Sequence, residues 1–299
     1  MFLRRTFLLV PTILIAGFFA ASQSQLPSVF KTRVDLVEVS FVVTDDAGKY
    51  ISGLRSSDLR VLDDGHLQNI RSFQDASTAA PDDEKAAASI YVLFDTSSSS
   101  YSSFPQTEDA IAGFIRGTLP RDRIAITAFS RNIFRLSPPS TDRYLALGNL
   151  RQAIAGDDPA LYNAVLLTIL DAARKPGRKT IVVFSNGPDE ASVLSPDDVG
   201  RVAEREGVPI YVFSRGKSNA VSMEAIQSIT QRTGGQVYMA RSHGEQDTAF
   251  NAVRNDLAHS YLLTYSPVNS PNRGFHKIDL ELPSQLHYRV RARSGYSVE

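Results

Sequence analysis

An apolar run, Ile90–Phe94, stops at Asp95 and is followed by hydroxyls at Ser97 and Ser99, within SIYVLFDTSSSS over 89–100. An unbroken apolar run of this length has no wet face, so it belongs to a strand buried on both sides, as in a parallel sheet. Open α/β sheets bind ligands just beyond the carboxyl ends of their strands. The strand therefore delivers Asp95, Ser97 and Ser99 to the place where a site is expected. One carboxylate and two hydroxyls are hard oxygen donors, better suited to Mg2+ than to zinc or copper. The plainer alternative is a strand that ends in a serine-rich turn.

The same alternation continues along the chain. Lys179–Phe184 and Val208–Phe213 are further buried strands, Arg123–Ser130 is another, Asn132–Leu136 can pair beside it, and Gln236–Met239 is a short one. Helical spacing recurs between them. Ile111, Phe114, Ile115 and Leu119 follow Thr107 as a candidate N-cap; Tyr144–Ile154, Leu161–Ala173 and Ser222–Arg232 follow, then a last helix carrying Phe250, Val253 and Leu257. Ser195 with Pro196 and Asp198 is a capping box, and Gly207 lies past that helix's end. Strand–helix alternation over 89–259 predicts an α/β fold with a doubly wound, mostly parallel sheet.

The flanks have a different rhythm. In 26–74, Val37, Val39, Phe41 and Val43 alternate with other residues, Leu59–Leu62 is a short strand, Asp64-Gly65 is a hairpin turn and Leu67–Phe73 returns. In 260–299, Ile278, Leu280 and Leu282 alternate with charged residues, as do Tyr288, Val290 and Ala292. These two segments are expected to pack together as a small β-rich unit with the α/β domain inserted between them. Residues 75–88 lack large apolar side chains and read as a linker.

Arg4 and Arg5, the apolar Thr6–Ala21 and the small residues Ala20–Ser22 make residues 1–22 a secretory signal, with an uncleaved anchor as the alternative. The chain is then exported: periplasmic, envelope-bound or extracellular, touching a membrane only through an uncleaved leader. Lys+Arg and Asp+Glu are both 32, so no long-range field points to nucleic acid. The absence of cysteine excludes disulfides, thiolate metal sites and a cysteine nucleophile. Neither a G-x-S-x-G elbow nor an H-E-x-x-H helix is present. Gly216-Lys217-Ser218 lacks the earlier glycine of a phosphate loop, and five scattered histidines show no metal spacing. Arg289, Arg291 and Arg293 alternate along one strand and read as a solvated, edge-protecting face, with an anion or partner contact as the alternative.

DTSSS at 95–99, on the first buried strand of an α/β domain, resembles the DxSxS motif of von Willebrand factor type A domains. ALYNAV (160–165) resembles that family's second loop and VVFSNG (182–187) its fourth-strand end. VEVSFVVTDDAGKYISGL, DLRVLDDGHLQNIRSF and HKIDLELP…YRVRARSGY are similar to flanking segments of secreted VWFA-related proteins of acidobacteria. The resemblance implies a metal-ion-dependent adhesion site for Mg2+ or Mn2+ and a non-enzymatic binding role, with a partner's carboxylate often completing the ion. On this chain it implies Asp95, Ser97, Ser99 and Asn186 as metal ligands. Asp157, Asp158 and Asp189 are weaker candidates; Ser98, Ser100, Pro159 and Asp189 would contact the partner. Two positions depart from the family's pattern: Pro159 stands where a threonine is expected and Asn186 where an aspartate is expected. The partner is then a protein or envelope component. The alternatives are a metal-free envelope scaffold and, more remotely, an envelope hydrolase.

Overall fold

The computed structural model describes residues 36–185, 188–215, 220–268, 272–282 and 287–298. The expected leader, residues 1–22, and Gly216-Lys217-Ser218 lie outside them. The head contributes β1 (Val37–Asp45), β2 (Arg60–Asp63), β3 (His66–Gln68) and β4 (Ile70–Asp75). The middle runs β5 (Ser89–Asp95), α1 (Phe104–Arg116), β6 (Arg123–Phe129), β7 (Ile133–Ser140), α2 (Arg143–Leu150), α3 (Leu161–Ala173) and β8 (Lys179–Phe184). It continues with α4 (Pro196–Glu206), β9 (Ile210–Ser214), α5 (Ala220–Arg232), β10 (Gln236–Met239) and α6 (His243–His259). The tail adds β11 (Tyr261–Tyr265), β12 (Gly274–Glu281), β13 (Tyr288–Ala292) and β14 (Gly295–Val298).

The fold is α/β. The central sheet has the order β10-β9-β8-β5-β6-β7, parallel except for β7, which runs antiparallel to β6. Ile90, Val92 and Phe94 face one layer of helices; Tyr91 and Leu93 face the other. That explains why β5 has no polar position before Asp95. On the first side Phe114, Phe184, Phe213 and Phe250 form a ring cluster with centroids 4.9–6.1 Å apart. It ties α1 and α6 to the ends of β8 and β9.

Head and tail strands combine in two antiparallel sheets: they alternate in β13-β1-β11-β4, and in β14-β12-β2-β3 two tail strands lie beside two head strands. Between them lie Val39, Phe41, Val43, Val61, Tyr261 and Leu263. Asp64 and Gly65 both take positive φ at the β2–β3 turn, the backbone of a tight hairpin. The single return strand expected over Leu67–Phe73 is instead two strands in different sheets. Gln68 is buried, and its amide donates to His66 O and accepts from Val268 N, so the chain leaves one sheet at Asn69 and enters the other at Ile70.

Residues 75–88 hold two short 3-10 turns capped by Asp75 and Asp83, with Ala76 and Ala86–Ala88 buried. Buried Arg121 reaches across to donate to the Ala76, Ala79 and Ala80 carbonyls. Helix α1 begins at Phe104 with Pro105 in its first turn. Thr107 is therefore not its cap; its hydroxyl donates back to Ser103 O inside the helix. Helix α2 stops at Leu150, short of Ile154.

The arginine row is not uniformly solvated. Arg289 is exposed and faces Asp46 at 3.4 Å, but Arg293 is buried and Arg291 is mostly covered. In a parallel sheet the helices return toward the strand N-termini, so their bare C-terminal carbonyls gather at that end. Arg293 donates to the Glu204 and Arg205 carbonyls at the end of α4, and Arg291 to Gly234 O just past α5. Arg178 does the same for α6, donating to Leu257 O and Ser260 Oγ. These cations also favour the negative ends of the helix dipoles.

His276 on β12 has an acceptor at each ring nitrogen, Asp64 Oδ2 at 2.8 Å and Asn272 O at 2.7 Å, an arrangement that favours the doubly protonated imidazolium. Burial works against that charge, but the Asn272 carbonyl and Asp64 outweigh it and raise the His276 pKa. The Lys277 N–H and His276 hold the Asp64 carboxyl below its usual range. A raised histidine contributes stability that is complete below about 6.5, its unfolded value, and is lost as pH rises through the folded value. The lowered Asp64 contributes above its unfolded value near 4 and loses that contribution as pH falls. Wild type should therefore gain most over His276→Phe between about pH 4 and 6.5, and the gap between their melting temperatures should narrow on either side. A gap independent of pH would remove the charge from the explanation.

Candidate functional site

Asp95 is the last residue of β5, and the chain turns over Ser98–Ser103 before α1. The turn is held from both neighbouring loops. Thr96 N donates to Phe129 O at 2.8 Å, Gly156 N to Thr96 O at 2.8 Å, and Ser98 N to Asp157 O at 2.9 Å. Beside β5 lies β8, and the first residue after it is Ser185, whose N–H donates to Phe213 O. Helical connections diverge on either side of β5, so Asp95 and Ser185 flank the topological switch of the sheet, where ligands of such folds bind.

Four side chains meet there. Asp95 Oδ1 accepts from Ser97 N at 3.0 Å and from Ser97 Oγ at 2.6 Å. Ser185 Oγ donates to Asp95 Oδ2 at 2.6 Å. Ser97 Oγ and Ser99 Oγ are 2.9 Å apart. Asp95, Ser97 and Ser185 are buried, Ser99 is half-buried and Ser98 is exposed. Each hydroxyl has one proton. Ser97 gives its proton to Asp95, so the proton between Ser97 and Ser99 belongs to Ser99. The order of donation is Ser99 to Ser97 to Asp95, with Ser185 donating to the other carboxylate oxygen.

An octahedral ion with bonds of about 2.1 Å places neighbouring ligands about 3 Å apart. The Ser97–Ser99 separation matches one such edge, and turning the Ser99 proton outward frees lone pairs on both oxygens. These residues fit one side of a Mg2+ or Mn2+ shell. Asn186 lies outside the described residues.

Two of the other acidic candidates are engaged elsewhere. Asp189 caps α3: its carboxylate accepts from Tyr162 N (2.8 Å), Ser192 Oγ (2.6 Å) and Ser192 N (2.9 Å). Asp158 pairs with Arg131. Asp157 is exposed, and its contribution to the turn is its backbone carbonyl. Two residues expected to face a partner do not. Pro159 is buried and its carbonyl accepts from Glu190 N and Ala191 N, tying the two loops together; Ser100 is 1% exposed. Ser185 was not anticipated. The rule that selects Asp95, a polar residue directly after a buried strand, selects Ser185 after Lys179–Phe184 as well.

A second cluster lies in the β-rich base that the two antiparallel sheets form, not at this face. Ligand atoms of Asp63, Asp64 and His276 fall within 4.8 Å of one another, a group able to hold a metal. They are already engaged: Asp63 Oδ2 accepts the Tyr265 and Tyr296 hydroxyls, both at 2.9 Å, and Asp64 holds Lys277 N and His276. The cluster reads as a lock between strands.

The family model for the von Willebrand factor type A domain matches residues 89–252, more than half of the 299-residue chain. The chain belongs to the von Willebrand factor type A family. That membership supports a binding, adhesion-type role. A UPF0353 protein of Mycolicibacterium paratuberculosis (strain ATCC BAA-968 / K-10) is 23% identical over 177 residues, covering 51% of this chain and 54% of that one. The chain thus spans about half the length of the curated relative it matches. Among solved structures, an aerotolerance-related membrane protein from Bacteroides fragilis NCTC 9343 gives a TM-score of 0.49 at 14% identity, covering 57% of this chain and 98% of that one. A von Willebrand factor type A protein from Catenulispora acidiphila gives 0.46 at 12%, covering 88% and 74%. Among the described residues, no helix is long and apolar enough to cross a membrane.

Proposed function

We propose that this is an exported binding protein that engages a protein or cell-envelope partner through the loops around Asp95, with Asp95, Ser97 and Ser99 as a half-site for Mg2+ or Mn2+. The observation that carries the reading is the Asp95–Ser97–Ser99 network: three hard oxygens linked in a row, the two hydroxyls 2.9 Å apart as on an octahedral edge, at the switch point of the sheet. A bound divalent ion would supply positive charge at this face. Asp95 is the one carboxylate of the described network, so that charge would be incompletely neutralised, and an acidic side chain on the partner suits it. Ser98 is exposed beside the half-site, and in this reading it touches the partner.

Thermal unfolding after EDTA stripping tests this reading. An ion that binds only the folded chain, at about 100 times its dissociation constant, adds ~2.7 kcal/mol and visibly raises the melting temperature. The rise should appear with millimolar Mg2+ or Mn2+ and vanish in Asp95→Ala. A rise that survives Asp95→Ala would place the ion elsewhere.

A metal-free scaffold is the second reading. The engagement of Asp189 in capping α3 and of Asp158 with Arg131 favours it, because neither is free to replace a missing ligand. Partner capture that is insensitive to EDTA would select it.

A further inference from the structure

We infer that Ser185 is a positioning residue for Asp95, and through it for the Ser97 and Ser99 hydroxyls; its bearing on a cation rests on the half-site reading above. A carboxylate at a strand end can turn about its last torsion, whose preference is broad. In this chain both oxygens are held. Oδ1 takes the N–H and hydroxyl of Ser97, two residues along the same turn, and Oδ2 takes the hydroxyl of Ser185 from the next strand. The Ser97 contacts move with the turn; the Ser185 contact does not. Ser185 is anchored by its N–H to Phe213 O, and the preceding Phe184 is fixed among the phenylalanine rings. Ser185 thus references the carboxylate plane to the sheet. With Asp95 fixed, the Ser97 proton stays on Oδ1 and the Ser97 and Ser99 oxygens keep their 2.9 Å spacing.

Ser185 is buried with its hydroxyl on Asp95, so its contribution is orientation. Groups that orient the ligands of a metal change affinity by about 10–100-fold when removed. A threonine keeps the hydroxyl and an alanine does not.

The test uses the purified chain as wild type, Ser185→Ala and Ser185→Thr, with two readouts. Amide hydrogen exchange in EDTA follows the Ser97 N–H, with β5 amides as internal reference. Ser185→Ala should speed Ser97 exchange at least tenfold relative to that reference, and Ser185→Thr should stay near wild type. Mn2+ titration followed by electron paramagnetic resonance should then show binding at least tenfold weaker in Ser185→Ala and restored in Ser185→Thr. Unchanged Ser97 exchange in Ser185→Ala overturns the assignment, as does unchanged Mn2+ affinity in a chain whose wild type binds the ion. If wild type binds no Mn2+, the half-site reading fails by itself, and the exchange result alone decides for or against Ser185.

Discussion

Replacing Arg291 by methionine should destabilise the chain by about 3–5 kcal/mol, the usual cost of breaking a buried ion pair by removing one partner. The residue left behind decides the size. Asp256, on α6, is 2% exposed, while Arg291 on β13 is about a third exposed. In the wild type, Asp256 holds Arg291 on one oxygen and accepts the Tyr50 hydroxyl at 2.7 Å on the other. Burial and the Asp256 charge push the Tyr50 pKa far up, so Tyr50 remains a donor. Arg291 also donates to Gly234 O at 2.7 Å. Arg291→Met therefore leaves a buried carboxylate facing the neutral hydroxyls of Tyr50 and Tyr211 in place of a guanidinium, and leaves a helix-end carbonyl bare. Asp256→Leu strands a guanidinium that can turn toward water, and it should cost less. Urea unfolding of the two variants gives the order, and equal losses would show that packing dominates charge.

The same junction shows what could be read from the chain and what could not. Periodicity carried the strand and helix types: the apolar run before Asp95, the span Leu161–Ala173 and the Ser195–Asp198 capping box are local patterns with local causes. The role of Arg291 and Arg293 is not local. Alternation along a strand gives two faces but does not say what lies against each. The carbonyls that need these arginines belong to helices 57 to 89 positions away in the chain. The division of 67–73 into two strands turns on Gln68, a polar residue buried by a partner 200 positions on. At the candidate site, the placement of Asp95, Ser97 and Ser99 just beyond a buried strand was legible because such a strand must end somewhere; the same rule, applied to Lys179–Phe184, points to Ser185. Asp189 was misleading for a physical reason: an acidic residue in a loop beside a helix start is as well suited to capping as to holding an ion.

Gly235→Ala should be among the most disruptive single changes, costing about 3 kcal/mol or more. A Cβ at Gly235 would stand 1.9 Å from Ile210 O, 2.5 Å from its carbonyl carbon and 2.8 Å from its nitrogen. All three atoms are backbone at the start of β9, so no rotamer change makes room; β9 and β10 would have to separate where their pairing begins. The neighbouring Gly234 is constrained differently. It has φ of +77°, and its own Cβ would meet the Ala292 backbone of β13 at 2.7 Å. The pair ends α5 and also sets how closely the base approaches the central sheet. Gly113 is the control. It lies exposed inside α1 with nothing within 4 Å of a built Cβ, so Gly113→Ala should stabilise by about 0.5–1 kcal/mol through helix propensity. Urea midpoints should move in opposite directions for the two alanines. A Gly235→Ala chain as stable as wild type would mean that β9 and β10 do not meet at the spacing described.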